Sequence, residues 1–399
     1  MMEIGVVGKP NVGKSTFFNA ATLSDAEIAN YPFTTVDANK AVGYVRVPCP
    51  EVELGITCNP KNSKCVDGSR FVPVEMIDVA GLVPKACEGR GLGNKFLDDL
   101  RQASALIHVV DASGSTDIEG KPVPCGSNDP LEDIRFLEEE IEQWFFNIFK
   151  RNWDKVAKKI QLVGKDFVKS FVEMFSGLGF DEKGVATALG VCGIGSKRVT
   201  EWSDEELFEF TKSLRRASKP IIIAANKTDI DNAKENIERM KSEFPNSIIV
   251  PVSSMAEYVF KKMAESGAIK YLQGDSGYRI LDESKISEKE KKGLEIIDKN
   301  VFGRFDGTGV QECINAAIFE VLEKIVVYPV EDDGKYTDKD GNVLPDAYIM
   351  EKGATPLDLA FKVHTEIGEK FIGAVDAKTK RKIKSDKELS SGDIIKILT

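Results

Sequence analysis

Between Ile4 and Ala20 the chain reads IGVVGKPNVGKSTFFNA. An apolar run suited to a buried strand stops at Gly8, passes Pro10 and Gly13, and restarts as a helix that opens with Lys14, Ser15 and Thr16. Two glycines and a proline this close break any regular element, so the segment is a loop held in a special backbone shape. Gly8 to Ser15 match G-x-x-x-x-G-K-[ST] without a mismatch, after a strand and before a helix, as that pattern requires. Such a loop turns successive main-chain N–H groups toward a β-phosphate. Lys14 adds a point charge at the β/γ oxygens, and the Ser15 hydroxyl can coordinate Mg²⁺. Asn11, Val12, Gly13, Lys14, Ser15 and Thr16 are the expected phosphate-binding residues, and they imply a nucleoside triphosphate without choosing the base.

The base is read from a later segment. The apolar run PIIIAA delivers Asn226, Lys227, Thr228 and Asp229 at its end. A carboxylate at Asp229 accepts from guanine N1–H and the 2-amino group, whereas adenine has an acceptor at N1 and no 2-amino group. An unpaired buried polar group costs about 1–3 kcal/mol, so the arrangement favours guanine. PVSS ends the next strand and brings the main chain of Ser253, Ser254 and Met255 toward guanine O6. Two γ-phosphate sensors are expected between these motifs. In DVAG, Asp78 suits the Mg²⁺ shell and the Gly81 N–H suits the γ-phosphate; in YPFTT, Thr35 is placed to coordinate magnesium in preference to Thr34. Taken singly, Asp78 reads as a helix cap and Thr35 as a turn residue.

Continuous apolar runs alternating with helical segments predict a doubly wound, mainly parallel α/β sheet. The alternation breaks between 126 and 217, where Leu131, Ile134, Leu137, Ile141, Phe145, Ile148 and Phe149 share a face, followed by Val156, Ile160, Val163, Phe167, Phe171 and Phe175. This predicts an inserted, coiled-coil-like helical hairpin that continues through a glycine-containing turn and further helical sequence, SDEELFEFTKSLRRA, to about Ala217, either a solvated decoration or an arm that docks a large partner. After Tyr328 short strands, turns and one helix predict a small β-rich domain. The expected division is a nucleotide-binding domain over 1–325, interrupted by the insertion, and a β-rich domain over 326–399.

A net charge of −10 argues against a globally basic nucleic-acid surface. The basic run KTKRKIKSDK reads as a solvated face. No apolar run reaches the roughly eighteen residues that cross a bilayer, so a cytoplasmic location without membrane attachment is expected. Seven scattered cysteines fit reduced thiols. Cys58 and Cys65 in CNPKNSKC are suited to ligate a metal, but no second cysteine pair or histidine stands nearby in sequence. His108 and His364 read as structural residues.

Together, GKPNVGKSTFFNA, NYPFTT, DVAGLV, EGRGLGNKFL and NKTD resemble the P-loop GTPases of the Obg group, and within it the YchF-related branch. The resemblance covers nearly the whole chain. It implies a terminal β-grasp (TGS) domain and a GTP/GDP cycle, with Lys14, Thr35, Gly81 and Asn11 taking part in hydrolysis. It also implies a monomer that works as a switch linked to the ribosome. In bacterial and eukaryotic YchF proteins the base motif is altered and goes with ATP; NKTD is intact here and implies GTP. Leu82 occupies the place after Gly81 where many small GTPases carry a water-orienting glutamine, which implies slow hydrolysis. Related loops with Pro-Asn at the positions of Pro10 and Asn11 bind K⁺ beside the phosphates; Arg90 is a competing source of positive charge. A metabolic or nucleic-acid-processing NTPase is the alternative function.

Overall fold

Short, almost wholly apolar runs are stable as strands when both faces of their sheet are covered, and this chain builds five of its strands that way. In the computed structural model, which describes residues 3–22, 39–79, 93–163 and 166–399, the segment 75–78 pairs with Glu3–Val7. That strand pairs in turn with Ala105–Asp111, then Ile221–Asn226, then Ile249–Pro251, and every pairing is parallel. The register sets Val6 opposite Asp78, Val7 opposite His108 and Asp111 opposite Asn226. The glycine loop, Asp78, Asp111 and Asn226 therefore emerge at one carboxyl edge, where open parallel sheets bind ligands.

The chain divides into two compact units, Met1–Ala21 with Glu75–Cys313, and Thr22–Val74 with Ile314–Thr399. The helical insertion belongs to the first unit and differs from the expected coiled-coil hairpin. It comprises a 34-residue helix, Pro130–Val163, and the shorter helices Phe167–Met174, Glu182–Cys192 and Asp204–Ser218. Aromatic bulk explains the difference, because a two-helix seam is too narrow for it. Phe149 meets Phe171 and Phe175 at centroid distances of 5.4 and 4.8 Å, and Trp153 meets Trp202 at 5.3 Å. The same apolar cluster takes in Val7, Ile77, Leu100 and Leu106, so these helices pack on the sheet layer and share its core.

In the second unit a five-stranded sheet surrounds Lys324–Val330. Tyr348–Glu351 pairs antiparallel on one side of it and Ile394–Leu398 parallel on the other, followed by Gly373–Asp376 and Arg381–Ile383. In chain order these lie second, first, fifth, third, fourth, and the helix Pro356–Val363 buries Leu359 in their core. This is the expected β-grasp arrangement. The expected boundary at 325/326 falls inside the strand Lys324–Val330, and packing joins 22–74 to the C-terminal residues. The causes are long-range polar contacts: Arg70 Nη2 donates to Leu344 O (2.7 Å), and the Asn59 and Asn62 carboxamides accept from the N–H groups of Val343 and Ala347. Among the described residues no helix is long and apolar enough to cross a membrane.

His108 sits in the middle of Ala105–Asp111, 3 % exposed. Burial, helped by the Lys9 charge, pushes its pKa down to about 3. The unfolded chain takes up the proton first as pH falls below about 6.5. The stability gained by keeping the imidazole neutral is therefore complete above that pH and lost on descending toward about 3. His108→Gln is expected to remove a slope of up to about 1.4 kcal/mol per pH unit between pH 6.5 and 5, read as the difference in urea midpoint between variant and parent.

Candidate nucleotide site

The glycine loop is tightly seated. A Cβ at Gly8 would lie 2.6 Å from Val109 O. Gly13 has φ +96°, and a Cβ there would lie 2.3 Å from Asn226 Nδ2, so both backbone shape and space require glycine. Asn11 adopts the left-handed conformation at φ 63°. The helix Lys14–Thr22 starts directly after Gly13, with Ser15 exposed and Thr16 half-buried on its first turn. Lys14 Nζ forms an ion pair with the Asp78 carboxylate, so the expected phosphate charge and the expected magnesium-side carboxylate converge at the loop mouth.

Asn226 ties the loop to the segments expected to read the base. Its Nδ2 donates to Val12 O at 2.8 Å, while its Oδ1 accepts from Ser254 N and Oγ at 3.0 and 2.9 Å. One carboxamide thus spans three segments that are far apart in sequence. Asp229 is held at two points. Its Oδ1 accepts from Ser253 Oγ at 2.9 Å, and its main-chain oxygen accepts from Asn300 Nδ2 at 2.7 Å. Ser253 Oγ also accepts from Ala256 N, capping the helix Ser254–Glu265. Ser253 and Ser254 are buried, whereas Met255 is 55 % exposed.

The Lys227 side chain runs to Asp111 Oδ2 (2.8 Å) and Ser115 Oγ (3.1 Å), bracing the segment after Asp111. Burial alone would raise the Asp111 carboxyl, but hydrogen bonds from Lys227, Ser113 and Ser115 together hold it below the usual range. Asn11 Nδ2 donates to Gly120 O at 2.8 Å. The buried Lys9 reaches Thr116 O at 3.0 Å and pairs with Asp133 at 2.7 Å. Thr34, Thr35, Gly81, Leu82 and Arg90 lie outside the described residues.

Asp111, Asn300, Lys9 and Asp133 are positioning residues that motif reading did not find. Asp111 carried a usable signal, since a carboxylate at a strand end followed by Ser113, Ser115 and Thr116 is suited to a closed hydrogen-bonded turn. The others act across 71 to 124 residues and have no local signature.

Residues 3–145 match the family described as 50S ribosome-binding GTPase, 224–332 the Obg-like GTPase YGR210-like G4 motif-containing domain, and 334–399 the TGS domain. The chain is 53 % identical over 399 residues to the uncharacterized GTP-binding protein MJ1332 of Methanocaldococcus jannaschii, covering 100 % of this chain and 99 % of that one. It is 33 % identical over 298 residues to the ribosome-binding ATPase YchF of Bacillus subtilis, covering 72 % of each. The crystal structure of a GTP-binding protein from Pyrococcus horikoshii superposes with a TM-score of 0.79 at 42 % identity over the full length of both chains. The Schizosaccharomyces pombe YchF GTPase, at 17 % identity and a TM-score of 0.58 over 100 % of this chain and 97 % of its own, shares the fold.

Proposed function

We propose, since the chain belongs to the Obg-like, YchF-related family of P-loop GTPases, that it binds GTP and hydrolyses it slowly to GDP and phosphate as a ribosome-linked switch. The observation that carries this reading is the Asn226 carboxamide bridge. It ties the glycine loop to Ser254 while Ser253 holds Asp229, which supports a phosphate reader and a guanine reader serving one ligand. Some relatives carry the name ATPase; the carboxylate of Asp229, aimed by Ser253, favours guanine in this chain.

Ser15 and Asp78, with Thr35, would hold Mg²⁺, which neutralises charge developing on the phosphate oxygens. Lys14 orients the phosphates through its charge. The loop N–H groups from Asn11 to Thr16 supply fixed donors that need no reorganisation during reaction. Leu82 neither donates nor accepts a hydrogen bond, so the attacking water must be positioned by another group. The ribosomal link draws on the TGS domain and on the named relative.

Unassisted turnover is expected on the order of 10⁻⁴ to 10⁻² per second. If Asn11 helps to hold K⁺, replacing K⁺ by Na⁺ lowers kcat and Asn11→Ala removes the difference at nearly unchanged nucleotide affinity, because the ion acts mainly in the transition state. Equal rates in the two salts, with an unaltered Asn11→Ala rate, assign Asn11 to bracing Gly120 alone; a partner-stimulated rate lost in Arg90→Ala would then identify the arginine as the charge source. Co-sedimentation with ribosomal particles, dependent on a non-hydrolysable GTP analogue, tests the switch. Nucleotide-independent absence from the particles would favour the metabolic or nucleic-acid-processing alternative.

A further inference from the structure

In the second unit the structure gathers four side chains that the sequence spreads over seventeen positions. The sulfurs of Cys49, Cys58 and Cys65 and a carboxylate oxygen of Glu51 all lie within 4.8 Å of one another. Cys49 is the cap of the one-turn helix Pro50–Leu54, which Gly55 ends in the left-handed conformation, turning the chain back through Cys58 to the strand Lys64–Val66. That strand pairs antiparallel with the start of Ser69–Asp78 across Asp67 and Gly68, both at positive φ, as a tight two-residue hairpin requires. The Cys49 N–H donates to Gly68 O at 2.8 Å and fixes the helix against the hairpin. The four donors therefore stand on a braced scaffold.

Their spacing has a chemical meaning. Cys49 Sγ and Cys58 Sγ are 3.8 Å apart. Two thiolates bound at about 2.3 Å on a tetrahedral ion are separated by about 3.8 Å. The Glu51 carboxylate is already oriented: Oε2 accepts from Cys58 N at 2.9 Å, leaving Oε1 to face the sulfurs, where it accepts from Cys65 Sγ at 3.0 Å. Outer-shell N–H bonds of this kind hold metal ligands in position. Cys49 is buried and the other three donors are half-buried, so an ion would be shielded and still have an entry path.

The surrounding charge fits as well. Three thiolates and a carboxylate leave a net negative site after binding a divalent ion. Arg70, fully buried, stands directly across the ladder from Cys65. Its terminal nitrogens serve Ser63 Oγ and Leu344 O, while its buried Nε has no hydrogen-bond partner among the described residues.

We propose that Cys49, Cys58, Cys65 and Glu51 form a structural Zn²⁺ site. Thiolate-rich, four-donor tetrahedral sets select zinc over the hard cations that serve phosphates, and a closed set with no open position is structural. Binding displaces the thiol protons to solvent and changes no oxidation state. The ion would clamp the helix turn to the hairpin that carries Arg70.

The test uses the full-length chain, purified and dialysed with reductant. Mass-spectrometric metal analysis is expected to find one zinc per chain. Co²⁺ added to zinc-stripped protein is expected to give the sulfur-to-cobalt charge-transfer and intense visible bands of a tetrahedral thiolate site. Cys58→Ser should lose both signals, while Cys125→Ser, which alters an exposed thiol outside the cluster, should keep them. Glu51→Gln should weaken zinc by more than the roughly 10- to 100-fold that loss of an outer-shell partner costs. The Co²⁺ titration of the unaltered chain needs no variant to fold. Failure of that chain to take up either ion, equal uptake by Cys58→Ser, or a Cys49–Cys58 disulfide persisting in reductant would each overturn the site.

Discussion

Replacing Lys14 by alanine is expected to lower Mg²⁺-dependent GTP turnover by about 10²- to 10³-fold, the usual cost of removing one positioned charge or donor from a transition state. Its ammonium is the only loop side chain paired with Asp78 among the described contacts. The fold should survive. Lys14 and Asp78 are 13 % and 27 % exposed, so the abandoned carboxylate retains access to water, and stability should move by about 1 kcal/mol or less. Thermal unfolding followed by circular dichroism separates this outcome from general collapse. Turnover equal to that of the parent chain would remove Lys14 from the phosphate site.

Asp229→Asn is expected to change which base is bound. Two acceptor positions for guanine become one acceptor and one donor, and the mismatched group costs about 1–3 kcal/mol, roughly a 5- to 150-fold loss of GTP affinity. Xanthine presents a 2-carbonyl that accepts from the new amide, so XTP should gain where GTP loses. The substitution leaves the local frame standing, because Asn300 holds the main-chain oxygen of residue 229 and Ser253 Oγ can still donate to the remaining side-chain oxygen. Competition among GTP, ATP and XTP against a fluorescent guanine nucleotide reads the switch. ATP competing as well as GTP against the unaltered chain would remove the guanine assignment.

The positioning residues offer a graded contrast to these two. Asn226 touches the loop through Val12 O and the second base segment through Ser254, so its loss would loosen both readers together. In the proposed site Lys14 and Asp229 would each act on one end of the ligand. A variant that weakens affinity for every nucleotide alike therefore reports on the bridge, and one that changes the order of preference reports on the base reader.

What the sequence alone determined is the chemistry that contiguous residues encode. Gly8 and Gly13 forced a loop, the apolar runs forced buried parallel strands, and Asn226 to Asp229 followed a strand end; these depend on backbone freedom, side-chain volume and period, all local quantities. The short strands, turns and single helix after Tyr328 were legible for the same reason, whereas their β-grasp arrangement was implied only by the family resemblance. Tertiary structure alone decided what reaches across the chain. It joined Asn226 to Val12, turned Asn11 toward Gly120, and spread the aromatic helices over the sheet in place of a coiled-coil seam. It also drew residues 22–74 to the C-terminal strands and added Cys49 and Glu51 to the Cys58 and Cys65 pair. These contacts depend on how parallel crossovers and a hairpin bring distant segments to one edge, and no stretch of neighbouring residues carries that information.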